Sequence, residues 1–200
     1  MVVVGYRDNA GDRLTNQQEA RRDTGPAEAS SSPETTRVQM QMHQRMAGEP
    51  REDNWYEAKS TGGGFSVLLP GPFNDFTRSA PTTDGKILSV HTLGMVTPAG
   101  VKFSATAMTR SDKKKFGQSE VQGVVERFEK KGTLKSKRAI SLQGYPGIEF
   151  SVGDAKMSAR MRTYAVDDTL YQLIVEFPTS VEPSVMADIN KFLDSLKLRE

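Results

Sequence analysis

The chain has 200 residues, 36% of them hydrophobic, and its 27 lysines and arginines nearly balance 25 aspartates and glutamates. That is apolar material for one ordinary domain with no overall field toward nucleic acid or an anionic membrane. The lack of cysteine excludes disulfides, thiolate zinc sites and cysteine nucleophiles.

Val2 to Val4 are three apolar residues in a row, short of the roughly 7–15 of a secretion signal. No stretch approaches the roughly 18 needed to span a bilayer. The expectation is a cytoplasmic protein, with the cell envelope as the alternative if the true N-terminus carries a signal. Residues 1–53 read as a disordered tail, because Gln, Arg, Glu, Ser, Thr and Pro dominate it and cannot bury enough surface to offset chain entropy. Within it, Val38 to Met46 has methionines at i, i+2 and i+6, which make no helical stripe, so it reads as frayed tail and not as a short helix.

The domain is expected over 54–200, where the aromatic pair Trp55-Tyr56 opens it. Gly62-Gly63-Gly64 precedes a strand over Phe65 to Leu69, closed by Pro70-Gly71-Pro72. The glycines read as a turn and not a phosphate loop, since no Lys-Ser or Lys-Thr follows and a strand comes next. Strands are predicted over Lys86 to Leu93 and Val101 to Met108, the second with Phe103, Ala105 and Ala107 on one face. A helix follows, with Val121, Val124, Val125 and Phe128 at helical spacing, Ser119 and Gln122 as its capping box, and Gly132 as its stop.

Four more strands are predicted: Leu134 to Leu142, Ile148 to Val152, Met157 to Val166 and Leu170 to Phe177. Gln143 to Gly147 forms the first connection, and Asp167-Asp168 is a two-residue hairpin loop. A closing helix runs from about Pro183 to Leu196 and buries Val185, Ile189, Phe192, Leu193 and Leu196. Short loops force antiparallel neighbours. The order is therefore α+β: an antiparallel sheet with Leu88, Val90, Val166 and Ile174 on a second covered face, and so a helix on each side.

Several of these segments resemble the PsbP-like or Mog-type domain family, including its bacterial members of unassigned function. They are Gly64-Phe65-Ser66-Val67-Leu68-Leu69-Pro70, Gly144-Tyr145-Pro146-Gly147-Ile148-Glu149-Phe150, Arg160-Met161-Arg162-Thr163-Tyr164, Leu170-Tyr171-Gln172-Leu173 and Phe192-Leu193-Asp194-Ser195-Leu196. The match runs from Trp55 to Leu198. The resemblance implies an α/β/α sandwich and an accessory or adaptor role in larger assemblies, and it carries no binding residue over to this chain.

Only two histidines exist, His43 and His91, so neither a paired-histidine metal site nor a histidine triad is expected, and no cofactor is implied. Asp75, Asp84 and Asp154 fall in turn-like surroundings without calcium-loop spacing. An outward row of Arg160, Arg162 and Tyr164, with Gln172 and Glu176 one strand away and Glu149 on the other side, suits cross-strand ion pairs or a partner surface of Glu149, Arg160, Arg162, Tyr164 and Gln172.

A basic cluster comprises Lys113, Lys114, Lys115, Lys130, Lys131, Lys135, Lys137 and Arg138. From Lys102 through Arg138, eleven basic residues face four acids. Neither aromatic interleaving nor a nucleic-acid motif accompanies it, so no specific nucleic-acid binding is expected. The preferred function is a non-enzymatic binding or accessory module with an unidentified protein partner. Its rivals are an anion-binding module using that basic cluster, and an enzyme with an Asp, Glu, Tyr and Arg site that one sequence does not reveal, which a deep pocket uniting Glu149, Arg160 and His91 would favour. Oligomeric state is not set by the sequence.

Overall fold

The computed structural model describes residues 40–46, 49–81 and 86–199, all within one unit spanning Val38–Glu200. The elements are β1 (Met40–Met46), β2 (Tyr56–Lys59), β3 (Phe65–Leu69), β4 (Phe73–Pro81), β5 (Ile87–Val96), β6 (Lys102–Arg110), α1 (Gln118–Glu129), β7 (Thr133–Leu142), β8 (Tyr145–Gly153), β9 (Met157–Val166), β10 (Thr169–Pro178), α2 (Glu182–Leu193) and β11 (Lys197–Leu198). Eight strands form one sheet in the order β1-β4-β5-β6-β10-β9-β8-β7, and β11-β3-β2 form a smaller one. Every pairing is antiparallel. The α+β reading of mostly antiparallel sheet holds, with two α-helices among the described residues.

The hairpins are built as their turn residues dictate. Asp167 (φ 47°) leads a two-residue loop that lets Val166 pair with Thr169. Gln143 and Gly144 both have positive φ, 51° and 85°, the pair of left-handed residues that a primed turn requires. That connection is shorter than expected, because β8 already starts at Tyr145 and includes Pro146. Proline is tolerated there since pairing to β9 begins only at Gly147, so the missing N–H interrupts no ladder on that side.

Two apolar clusters lie on the sheets. One contains Leu93, Phe103, Ala105, Ala107, Tyr164, Tyr171, Leu173, Val175 and Phe177, closed by Phe65, Val67 and Leu69 of β3 and by Ile189, Phe192 and Leu193 of α2. The other joins Val121, Val124 and Val125 of α1 to Ile148, Phe150, Val152, Ala159, Met161, Ala165 and Leu170. Along β9 and β10 successive residues alternate between the two clusters, the period of two that a strand imposes. Val166 packs with the first cluster and not with Ile174, which packs with the second.

Other boundaries differ for local reasons. Helix α1 is capped at Gly117, whose N–H donates to Glu120 Oε2 at 2.9 Å, so Glu120 and not Gln122 closes the first turn. Residues Met40–Met46, assigned to the tail, form a strand on β4. Their methionine spacing of two and four is strand spacing. The rest of the expected tail up to residue 39, like Asp84, lies outside the described residues. Strand β4 itself was not foreseen, and it moves Asp75 from a turn into the sheet. No helix among the described residues is long and apolar enough to cross a membrane.

Candidate functional site

The partner surface expected from sequence centres on β8 and β9. Register puts Glu149 directly opposite Arg162 and, on β7, opposite Arg138, with Arg160 two pairs along against Ser151. All four side chains stand on one face, and they close on Glu149. Arg162 Nε donates to its Oε2 at 2.6 Å, while Arg138 Nε and Arg160 Nη2 both reach Oε1 at 3.1 Å. The Glu149 side chain is 8% exposed, Arg162 14%, Arg160 20% and Arg138 64%.

Helix α2 ends on this cluster. Arg162 Nη1 donates to the Leu193 carbonyl at 2.9 Å and reaches Asp194 at 2.7 Å. Arg160 Nη1 donates to Asn190 Oδ1 at 2.8 Å. A cation at a helix C-terminus meets the free carbonyls and the negative end of the helix dipole. The network is thus a clasp between sheet and helix. Burial pushes the Glu149 carboxyl up, but the guanidiniums of Arg138, Arg162 and Arg160 outweigh it and hold it at about 2. Burial raises the Tyr164 hydroxyl, with the Arg162 charge opposing.

Two expected members do not belong. Tyr164 is 3% exposed and packs in the first cluster, so it is core and not surface. Gln172 pairs with Thr163 and Glu176 with Ala159, while Arg160, Arg162 and Tyr164 pair with Val175, Leu173 and Tyr171. Gln172 and Glu176 therefore stand on the opposite side of the sheet, a displacement of one residue from the assumed register. The sequence could not show that α2 would cover the supposed outward row.

The basic cluster is also divided. Lys113 and Lys115 bind Asp168 and Asp167 at 3.0 and 2.9 Å, strapping the loop before α1 to the β9–β10 hairpin, where Phe116 N–H also donates to the Asp167 carbonyl. Lys130 and Lys131 follow the far end of α1, a 12-residue helix about 18 Å long. Lys135 Nζ donates to Ser158 Oγ at 2.9 Å, Lys137 Nζ to Gln122 Oε1 at 2.8 Å, and Arg138 joins Glu149. Lys113 to Lys115 and Lys130 to Arg138 do not share a patch.

Asp75 was missed as a buried group. It is 0% exposed, and its Oδ2 accepts from Thr61 N–H at 2.9 Å and Thr61 Oγ1 at 2.6 Å. Its Oδ1 is buried without a hydrogen-bond partner among the described residues. The carboxylate anchors the glycine turn, which is further held by Gly63 N–H donating to Ser60 Oγ and Tyr171 O–H donating to the Gly63 carbonyl. Gly62 lies against His91, where a Cβ would come within 2.5 Å of the ring.

No family model and no curated protein matches the chain. Among solved structures it is similar to the solution structure of cyanobacterial PsbP (CyanoP) from Synechocystis sp. PCC 6803. Identity is 12% and the TM-score 0.49, over 72% of this chain and 92% of that one. A likeness of that size assigns no residue a role.

Glu149, Arg160 and His91 do not form one pocket. Glu149 and Arg160 meet, but His91 lies on β5, three strands from β9, or about 14 Å at sheet spacing. Both His91 ring nitrogens lie within hydrogen-bonding distance of hydroxyls, Thr77 Oγ1 at 3.1 Å and Ser89 Oγ at 3.0 Å. Among the described residues no group of three or more His, Asp or Glu is placed to hold a metal.

Proposed function

We propose that the chain is a non-enzymatic binding or accessory module of the PsbP-like and Mog-type kind, acting through protein–protein contacts, with α1 and α2 covering opposite faces of the large sheet. The alternation of the two apolar clusters along β9 and β10 supports the layered arrangement. The observation that carries the functional reading is the arginine pair Arg138 and Arg160. Glu149 fixes both guanidiniums in place while leaving Arg138 64% and Arg160 20% exposed. Arginine is favoured at interface centres, and a side chain ordered beforehand loses less entropy on binding. Three guanidiniums share Glu149 and Asp194, which leaves positive charge for an acidic partner.

A photo-crosslinking residue placed at Asn190, beside Arg160, tests this in cells of the native host, with Glu52 as the control position. The reading expects a discrete adduct with another protein from position 190 and none from 52. It fails if position 190 yields no adduct, or if the purified chain turns over a substrate in a broad screen.

A further inference from the structure

Strand β7 closes one end of the eight-stranded sheet and pairs only with β8. Its other edge is a row of backbone N–H and C=O groups that no strand of the described residues takes up. Lys135 to Ala139 are all exposed along it. A register shift between Leu134 and Ser136 sets Lys135 apart as a bulge, and from Ser136 to Leu142 the ladder is regular. Seven residues of regular, solvent-facing edge is the length of an ordinary strand.

The charge on this edge has one sign. Between Lys130 and Ile148 the sequence holds Lys130, Lys131, Lys135, Lys137 and Arg138 and no carboxylate. Glu149, which faces Arg138 from β8, is already committed to three guanidiniums, while the acids before the run, Glu126 and Glu129, belong to α1. Lys137 reaches toward α1 through Gln122, whereas Arg138 lies with Glu149 on the other side, so cations flank both faces of the edge. Charged edge residues usually prevent sheets from pairing with each other. A second copy of β7 brings the same cations and is repelled, whereas a strand with carboxylates on both its faces is attracted.

We propose that β7 from Ser136 to Leu142 is the docking edge for an extended acidic segment of a partner protein, which adds as a ninth strand. Carboxylates at successive positions of that segment face Lys137 and Arg138 from opposite sides, and backbone hydrogen bonds supply sequence-independent affinity. This rests on the accessory-module reading and names the chemistry of its partner.

The probe is a synthetic peptide of about ten residues, built of threonine and valine around two adjacent glutamates, against the full chain labelled for amide NMR. The expected result is slowed hydrogen exchange confined to Ser136–Leu142. A peptide of the same charge with a central proline binds at least about tenfold more weakly, because it cannot complete the ladder. Lys137→Glu also weakens the first peptide about tenfold, more so at low salt. Equal binding by the proline peptide overturns strand addition. Protection elsewhere in the sheet, or tighter binding of phosphatidylserine vesicles or duplex DNA than of the peptide, overturns the acidic-strand partner. Failure here with the crosslink at position 190 intact removes the edge and leaves the accessory role. Failure of both removes both.

Discussion

Glu149 and Arg162 stand directly opposite each other across β8 and β9 and are joined at 2.6 Å, with both side chains almost wholly shielded from water. Arg162 in turn grips the end of α2, so one carboxylate holds the cation that fastens the helix to the sheet. Removing the carboxylate leaves a buried guanidinium without its closest counter-charge. Glu149→Gln is expected to lower stability by about 3–5 kcal/mol. Arg138→Ala, at a largely exposed position, should change it by about 1 kcal/mol or less. Urea unfolding of the two variants reads the difference, and near-equal midpoints would show that the clasp bears no stability.

The same carboxylate sets an acid limit. Its folded-state value of about 2 lies below the ordinary 4.5, so its contribution is fully present above the unfolded value and disappears as pH falls through the folded one. Stability is expected to drop between about pH 4.5 and pH 2, by up to about 3 kcal/mol from this group. In Glu149→Gln that part of the slope vanishes. Denaturant midpoints at pH 6, 4 and 2.5 for both proteins test it, and parallel slopes would count against the assignment.

How far the sequence anticipates this site depends on what each residue answers to. The β9–β10 hairpin follows from local pattern, period-two apolar residues on either side of Asp167-Asp168, and it forms with its predicted two-residue loop. Glu149, Arg160 and Arg162 could be paired by strand order alone. Their burial could not, since it depends on α2 folding back over β9. Strand β4 was hidden because Asn74, Asp75 and Pro81 carry turn-like chemistry, which neighbours β1 and β5 override by pairing with it from both sides. The methionines at 40, 42 and 46 did carry a strand period, lost against the polar tail around them.

Gly147 is required where it stands. A Cβ there would sit 2.5 Å from Tyr164 Cδ1 and 2.6 Å from the Thr163 carbonyl oxygen. The Tyr164 ring therefore lies on bare glycine backbone in the facing strand. Gly147→Ala must push the ring or the β9 backbone aside, and it should cost about 1–3 kcal/mol. Adding Tyr164→Leu, which removes the ring edge but not the carbonyl, should recover part of that loss. A double-mutant cycle by thermal unfolding measures it, and strict additivity would place the clash elsewhere.

Asp75 and Thr61 make the last test. Two hydrogen bonds run from the exposed Thr61 to one carboxyl oxygen of the buried Asp75, while the other oxygen has no partner among the described residues. A hydroxyl hydrogen bond of this kind contributes about 0.5–1.5 kcal/mol net, and more when its loss leaves a buried acceptor unsatisfied. Thr61→Val removes the hydroxyl but keeps the backbone donor, and it is expected to cost about 1–2 kcal/mol. In an Asp75→Ala background the same change should be close to neutral, because the acceptor is gone. The glycine turn should then loosen in both Asp75→Ala proteins, seen as faster amide exchange at Gly63, whose carbonyl and N–H are tied to Tyr171 and Ser60. Equal costs of Thr61→Val in the two backgrounds would show that the strand aspartate does not hold the turn.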